Sequence, residues 1–149
     1  MKEIIAEILS DAVRAPSGDN HQPWKFEVED NVINVFNLPE RDTILYNYGQ
    51  HGSYFSHGCL LENIIIASSA RGYSVEFKVL PDSNNAEWTM SLTLINRTIE
   101  KDPLYAFLDK RSTNRKKYKN DPLSLPEAKA LEETAFSIGE GAVHLVTNR

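Results

Sequence analysis

Cysteine is nearly absent. Cys59 is the only one in the chain, so no intrachain disulfide can form and no disulfide framework holds the fold. Long apolar runs are missing too, and none approaches the ~20 residues that a membrane-spanning helix needs. The opening stretch, MKEIIAEILSDAVR, sets acids among its apolar residues and lacks the continuous apolar core of a signal peptide. Together these shortages give the expectation of a cytoplasmic chain with no membrane partner. Short-period repeats and low-complexity segments are also lacking.

What is present is an ordinary globular balance: 149 residues, 41% hydrophobic and 25% charged. That length suits one domain burying roughly 70% of its unfolded surface. Positive charge is scarce and uneven. Lys and Arg number 16 against 21 acids, for a net charge of −5. Six of those 16 fall in residues 110–119, which hold no acid, so the rest of the chain stands at −11. An acidic body argues against general nucleic-acid binding, which relies on a broad basic face. One basic patch on such a body suits a small phosphorylated ligand.

The hydrophobic pattern lays out the elements in order. Ile4, Ile5, Ile8, Leu9, Ala12 and Val13 recur at helical spacing, and Pro16 stops that helix. Trp24, Phe26 and Val28 alternate, Asp30-Asn31 makes a turn, and residues 32–36 return as a hairpin strand. Residues 38–53 look irregular, with Glu40 and Asp42 expected in solvent. A long helix is predicted from about Tyr54 to Arg71, with Ser53 as N-cap and Gly72 at the C-terminal left-handed position. Leu60, Leu61, Ile64, Ile65, Ile66 and Ala67 make it apolar over most of its circumference, so it should be central to the core.

Strands follow, with Tyr73, Val75, Phe77 and Val79 alternating, then Trp88, Met90, Leu92 and Leu94. Asp102 and Pro103 open a short helix through Leu108. Ser124 and Glu127 have capping-box spacing before a helix to about Ser137, and Gly139 and Gly141 break it. Val143 and Leu145 begin a last strand. The fold class is α+β: a mostly antiparallel sheet flanked by helices.

Two stretches carry chemistry. The first is Ala15-Pro16-Ser17-Gly18-Asp19-Asn20-His21-Gln22-Pro23-Trp24. It joins a helix to a strand, and it packs short polar groups between two prolines. A turn plus a helix stop accounts for the prolines and Gly18. It does not need so many polar side chains, and binding residues favour loops held by rigid elements. Trp24 begins an alternating strand and is read as core.

The second is Lys110-Arg111-Ser112-Thr113-Asn114-Arg115-Lys116-Lys117-Tyr118. Arg and Lys bind phosphate through charge-assisted hydrogen bonds, and a neighbouring hydroxyl adds a neutral donor. Charge alone describes a solvated basic loop equally well.

The first stretch resembles the APS-x-x-N-x-Q-P-W signature of nitroreductase-like flavoproteins, through Ala15-Pro16-Ser17, Asn20 and Gln22-Pro23-Trp24. The second is similar to that family's R-x-[ST]-x-R segment, through Arg111, Thr113 and Arg115. Ser112 stands where the commonest form has a second Arg. The two motifs come in reverse order here. That order, with Gly58 to Asn63, resembles a divergent branch built of two nitroreductase-like halves, also found fused to ThiF-like domains.

The resemblance implies a nitroreductase-like fold with FMN as cofactor. It implies that Ser17, Asn20 and Gln22 lie near the flavin ring or ribityl, and that Arg111, Thr113 and Arg115 face the phosphate. NAD(P)H would reduce the flavin, which would then reduce a nitroaromatic or quinone-like acceptor. The chemistry resides in the cofactor, so no catalytic side chain is assigned. The alternative is a non-catalytic module that holds flavin or another phosphorylated ligand.

The branch also implies a first half over residues 1–109 and the start of a second over residues 110–149. The chain would then be a piece of a protein about twice as long, forming a homodimer or pairing with a second half.

Other constellations are weak. Ser17, Asp19 and His21 match a hydrolase triad by letter only, and no G-x-S-x-G is present. His51 and His57 lack a third ligand of convincing spacing, so no metal is assigned; both are read as loop or helix-end residues. Cys59 is read as packing. Glu62 and Asn63, inside the long helix, need partners if buried.

Overall fold

In a computed structural model, residues 1–117, 119 and 121–138 are described. The chain divides into two units, Met1–Thr113 and Asn114–Arg149. The expected last strand at Val143 and Leu145, and the glycines at 139 and 141, lie outside the described residues.

The first unit is an antiparallel sheet with helices packed on one face. Helix α1 spans Lys2–Ala12 and buries Ile5, Ile8 and Ala12. Strands β1 (Trp24–Glu29) and β2 (Val32–Asn37) form the expected hairpin, with Glu29 opposite Val32 across the Asp30-Asn31 turn. Helix α2 spans His51–Ser69. Strands β3 (Tyr73–Val79) and β4 (Trp88–Asn96) follow. The sheet order is β1-β2-β4-β3, with every neighbouring pair antiparallel. The α+β reading therefore stands.

The core lies between the sheet and the helices. Ile5, Ile8 and Ala12 of α1 and Leu60, Ile64 and Ala67 of α2 meet Trp24, Ile33, Val35, Met90, Leu92 and Leu94. Trp24 is core, as its strand position implied. Leu61 and Ile65 are only partly buried, so α2 is enclosed on fewer sides than its composition implied.

Two expectations are corrected. Ser53 is not the N-cap of α2. The helix starts at His51, and the Asn47 side chain accepts the Ser53 N–H at 3.1 Å. An acceptor from the preceding loop thus satisfies one of the helix's orphan donors. Trp88 does not share the face of Met90 and Leu92. A bulge lets Val35 face Met90 and Phe36 face Trp88, leaving Thr89 unpaired and buried. The extra residue reverses the alternation. Trp88 then stacks on Phe36, with centroids 6.0 Å apart.

Local signals elsewhere held. Gly72 adopts φ +77 just after α2. Asp102 accepts from the Leu104 N–H at 2.8 Å and opens a 3-10 turn at Pro103–Phe107. In the second unit, α3 spans Leu125–Ile138 behind a complete capping box. The Glu127 carboxylate accepts from the Ser124 N–H at 2.8 Å, and the Ser124 hydroxyl faces the Glu127 N–H. Those bonds hold the Glu127 carboxyl below its ordinary range.

Candidate functional site

The site is built where α1 hands over to β1. Past α1, Ala15 is buried, and its N–H closes on the Ala12 carbonyl at 2.9 Å. Ser17 is extended, and a single 3-10 turn then covers Gly18–Asn20. Three non-glycine residues sit in the left-handed region: Asp19 at φ 44, Asn20 at φ 60 and Gln22 at φ 50. Asp and Asn tolerate this geometry; Gln does so less readily. Each costs on the order of 1–2 kcal/mol, so the surroundings must hold them.

They do. The Ser17 hydroxyl accepts the Gln22 N–H at 3.0 Å, and Gln22 Nε2 donates to the Val13 carbonyl at 3.1 Å. Arg41 donates to the Gln22 carbonyl at 3.3 Å. The far end is fixed by His57, whose Nε2–H donates to the Pro23 carbonyl at 2.9 Å. Its Nδ1 lies 2.7 Å from the Thr89 hydroxyl that the bulge turns inward. Burial lowers the His57 pKa, with the Pro23 bond opposing, which favours the neutral ring. The single Thr89 hydroxyl proton lies between Nδ1 and the Val35 carbonyl, 3.0 Å away. His57 is thus a buried strut, not a helix-end residue.

A second correction concerns Asp42. Expected in solvent, it is 1% exposed. Its carboxylate meets His21 Nδ1 at 3.3 Å, and its carbonyl accepts from Asn47 Nδ2 at 2.7 Å. Gly18 packs against it, since a Cβ there would lie 3.2 Å from Asp42 Oδ2. That close approach explains the glycine.

The expected site residues fall as follows. Ser17, Asn20 and Gln22 share one loop, but Ser17 and Gln22 spend side-chain polar groups on holding its shape. Asn20 is exposed. Arg111 reaches the loop's start, donating to the Arg14 carbonyl at 3.1 Å. Thr113 is exposed and makes no side-chain hydrogen bond among the described residues. Arg115 belongs to the second unit and is exposed there.

Burial pushes the Cys59 thiol up while the Arg111 charge pulls it down; the net rise keeps it a thiol. Asn63 finds its partner in the Ala12 carbonyl at 3.2 Å, and Glu62 is exposed. Among the described residues no three His, Cys, Asp or Glu groups gather to hold a metal ion. No helix among them is long and apolar enough to cross a membrane.

Comparison with known structures decides the fold family. A crystal structure of "a putative nitroreductase in complex with FMN" from Desulfovibrio desulfuricans matches 76% of this chain and 87% of its own, with TM-score 0.52 and 18% identity. A nitroreductase-like protein from Streptococcus mutans matches 68% of this chain and 80% of its own, with TM-score 0.52 and 15% identity. The fold is nitroreductase-like.

At these identities the nitroreductase-like fold is what the structures share with this chain. In sequence, the "Putative NAD(P)H nitroreductase acg" of Mycobacterium tuberculosis is 29% identical over 85 residues. Those residues are 56% of this chain and 25% of the relative, so the match spans about a quarter of the relative's length. No protein-family model matches the chain.

His21, Asp42 and His57 take part in contacts around the loop that the sequence reading did not assign to them. His21 sits inside the polar run, which was a signal. The partners of Asp42 and His57 lie in distant segments, which pattern does not reveal.

Proposed function

We propose that this chain is part of an FMN-dependent oxidoreductase in which NAD(P)H supplies electrons and a nitroaromatic or quinone-like molecule accepts them. The observation that carries the reading is the loop at residues 17–22. It holds three left-handed non-glycine residues in a nitroreductase-like fold, in the segment that carries the APS-x-x-N-x-Q-P-W pattern. Strain of this kind persists where the surroundings enforce a shape that function uses.

The residues present fit the cofactor. Ser17 and Gln22 set the loop, and the Asn20 amide, exposed, can both donate and accept at a flavin ring edge. Arg111 has guanidinium N–H groups beyond the one given to Arg14, which suits a phosphate. Thr113 and Arg115 would complete that contact. Flavin, when bound, supplies hydride chemistry; the chain supplies position and charge.

The reading extends to assembly and to place. Leu45, Tyr46 and Tyr48 are 85–90% exposed, and Phe55 is 74% exposed. Aromatic surface of this kind suits cover by a second copy or a second half, of which residues 110–149 would be the start. A reducing cytoplasm suits the single cysteine.

The test is FMN titration of the full chain against Arg111→Ala and Arg115→Ala. Each should weaken binding by about 1.5–3 kcal/mol, the worth of a hydrogen bond to a charged group. Unchanged affinity in both removes the basic segment from the site. FMN uptake without NAD(P)H oxidation would make the chain a flavin-holding module. No uptake at all would sink the proposal.

A further inference from the structure

Residues 102–111 form a run of linked turns. The Tyr105 N–H bonds the Asp102 carbonyl at 3.1 Å, the Leu108 N–H bonds the Tyr105 carbonyl at 3.3 Å, and the Arg111 N–H bonds the Phe107 carbonyl at 2.9 Å. Each bond fixes part of the backbone between Asp102 and Arg111, so whatever anchors one end of the run constrains the other. The near end is well anchored. The Asp102 N–H donates to the Ser69 hydroxyl at 3.0 Å, at the end of α2. The half-buried Tyr105 ring packs on the core, with the Arg71 guanidinium 5.8 Å from its centroid. Its hydroxyl donates to the Asp11 carboxylate at 2.9 Å, on the oxygen that also accepts from Arg71 Nη2. A hydrogen bond to an ionised acceptor is stronger than a neutral one. At the far end Arg111 is exposed, and its guanidinium gives one N–H to the Arg14 carbonyl at 3.1 Å. The two attachment points are themselves joined, because the Arg14 N–H bonds the Asp11 carbonyl at 3.3 Å.

We propose that Tyr105, held on Asp11, is a positioning residue for Arg111: through the linked turns it sets where that guanidinium stands at the start of the 17–22 loop. The consequence for binding rests on the flavin reading above, in which Arg111 faces the phosphate. A side chain placed before its ligand arrives loses less freedom on binding it. Tyr105 itself touches no ligand in this arrangement; its effect passes through Arg111.

Cys59 supplies a probe that needs no cofactor, because the Arg111 charge pulls its thiol pKa down against burial. Alkylation of the full chain by iodoacetamide across pH gives the titration midpoint of that thiol. Arg111→Ala should raise the midpoint. Tyr105→Phe, which removes only the hydroxyl, should raise it by part of the same amount. A midpoint unmoved in Tyr105→Phe overturns the assignment, whatever Arg111→Ala does. FMN titration gives a second readout. Tyr105→Phe should weaken binding about threefold to tenfold, the worth of one hydrogen bond. The double variant Tyr105→Phe/Arg111→Ala should bind no more weakly than Arg111→Ala alone, because one residue acts through the other. Additive losses would make Tyr105 a stabiliser of the fold at large and overturn the assignment as well. Wild-type protein that takes up no FMN sinks the flavin reading; the thiol midpoints then still decide whether Tyr105 places Arg111.

Discussion

At His57, burial and hydrogen bonding pull in opposite directions. Burial is the larger influence and lowers the pKa below the ordinary 6.5. The unfolded chain therefore binds more protons than the folded one between those two values. Stability from the neutral ring is whole above the unfolded value and is lost as pH falls toward the folded one. We expect the melting temperature to drop as pH falls below about 6.5. In His57→Asn the histidine share of that drop should vanish, after a pH-independent loss of about 1–3 kcal/mol for buried groups left unpaired. Thermal melts of both proteins across pH check this; parallel pH curves would refute it. The same residue holds the Pro23 carbonyl, so its loss should also loosen the loop that Pro23 ends.

The elements show where local pattern suffices and where it fails. Helix α1, the β1–β2 hairpin and the Ser124–Glu127 box were legible because their signals lie within a few residues of one another. The start of α2 was not. Asn47, buried and outside the helix, bonds the Ser53 N–H, the Ser53 hydroxyl and the Asp42 carbonyl at once. Nothing in the spacing of Asn47 and Ser53 marks that arrangement. We expect Asn47→Ala to cost about 1–3 kcal/mol by urea denaturation, since it strands buried groups. A loss under a few tenths would mean that water replaces the amide. The bulge at Thr89 was invisible for a related reason: an alternating pattern reads the same until one residue is skipped. The candidate loop was legible as chemistry through its residue types. Its shape was not, because the left-handed angles at Asp19, Asn20 and Gln22 are imposed by Ser17, Val13 and Arg41.

On the scale of the whole molecule, the first unit is bound together by Arg71. Its guanidinium donates to Glu7 at 3.1 Å and Asp11 at 2.9 Å, and the Tyr105 hydroxyl donates to the same Asp11 carboxylate at 2.9 Å. Three distant segments meet there. The exposed ledge of Tyr46, Tyr48 and Phe55 belongs to this scale as well. Under the assembly proposed above, sedimentation should show self-association of the full chain. Replacing Tyr48 and Phe55 with Ser should shift it toward monomer by about tenfold, as about 0.5–1.5 kcal/mol per lost aromatic contact predicts. A wild-type monomer at high concentration would count against the ledge as an interface.

The strand order has a consequence for how the chain reaches this state. Two hairpins, β1–β2 and β3–β4, close over short connections, the turn at 30–31 and the loop at 80–87. The seam between β2 and β4 instead closes over residues 38–87, with α2 inside. Chain-closure entropy makes that seam more costly than the β3–β4 hairpin by about 1.5 kcal/mol for an otherwise flexible connection. Forming α2 and the second hairpin first shortens the effective gap. The sheet therefore has one long-range seam to close, and its register must absorb the skipped residue at Thr89. We expect the loop at residues 17–22 to take its final aim only after that meeting, because Pro23 is held by His57, and the Thr89 that His57 touches bonds Val35 across the seam.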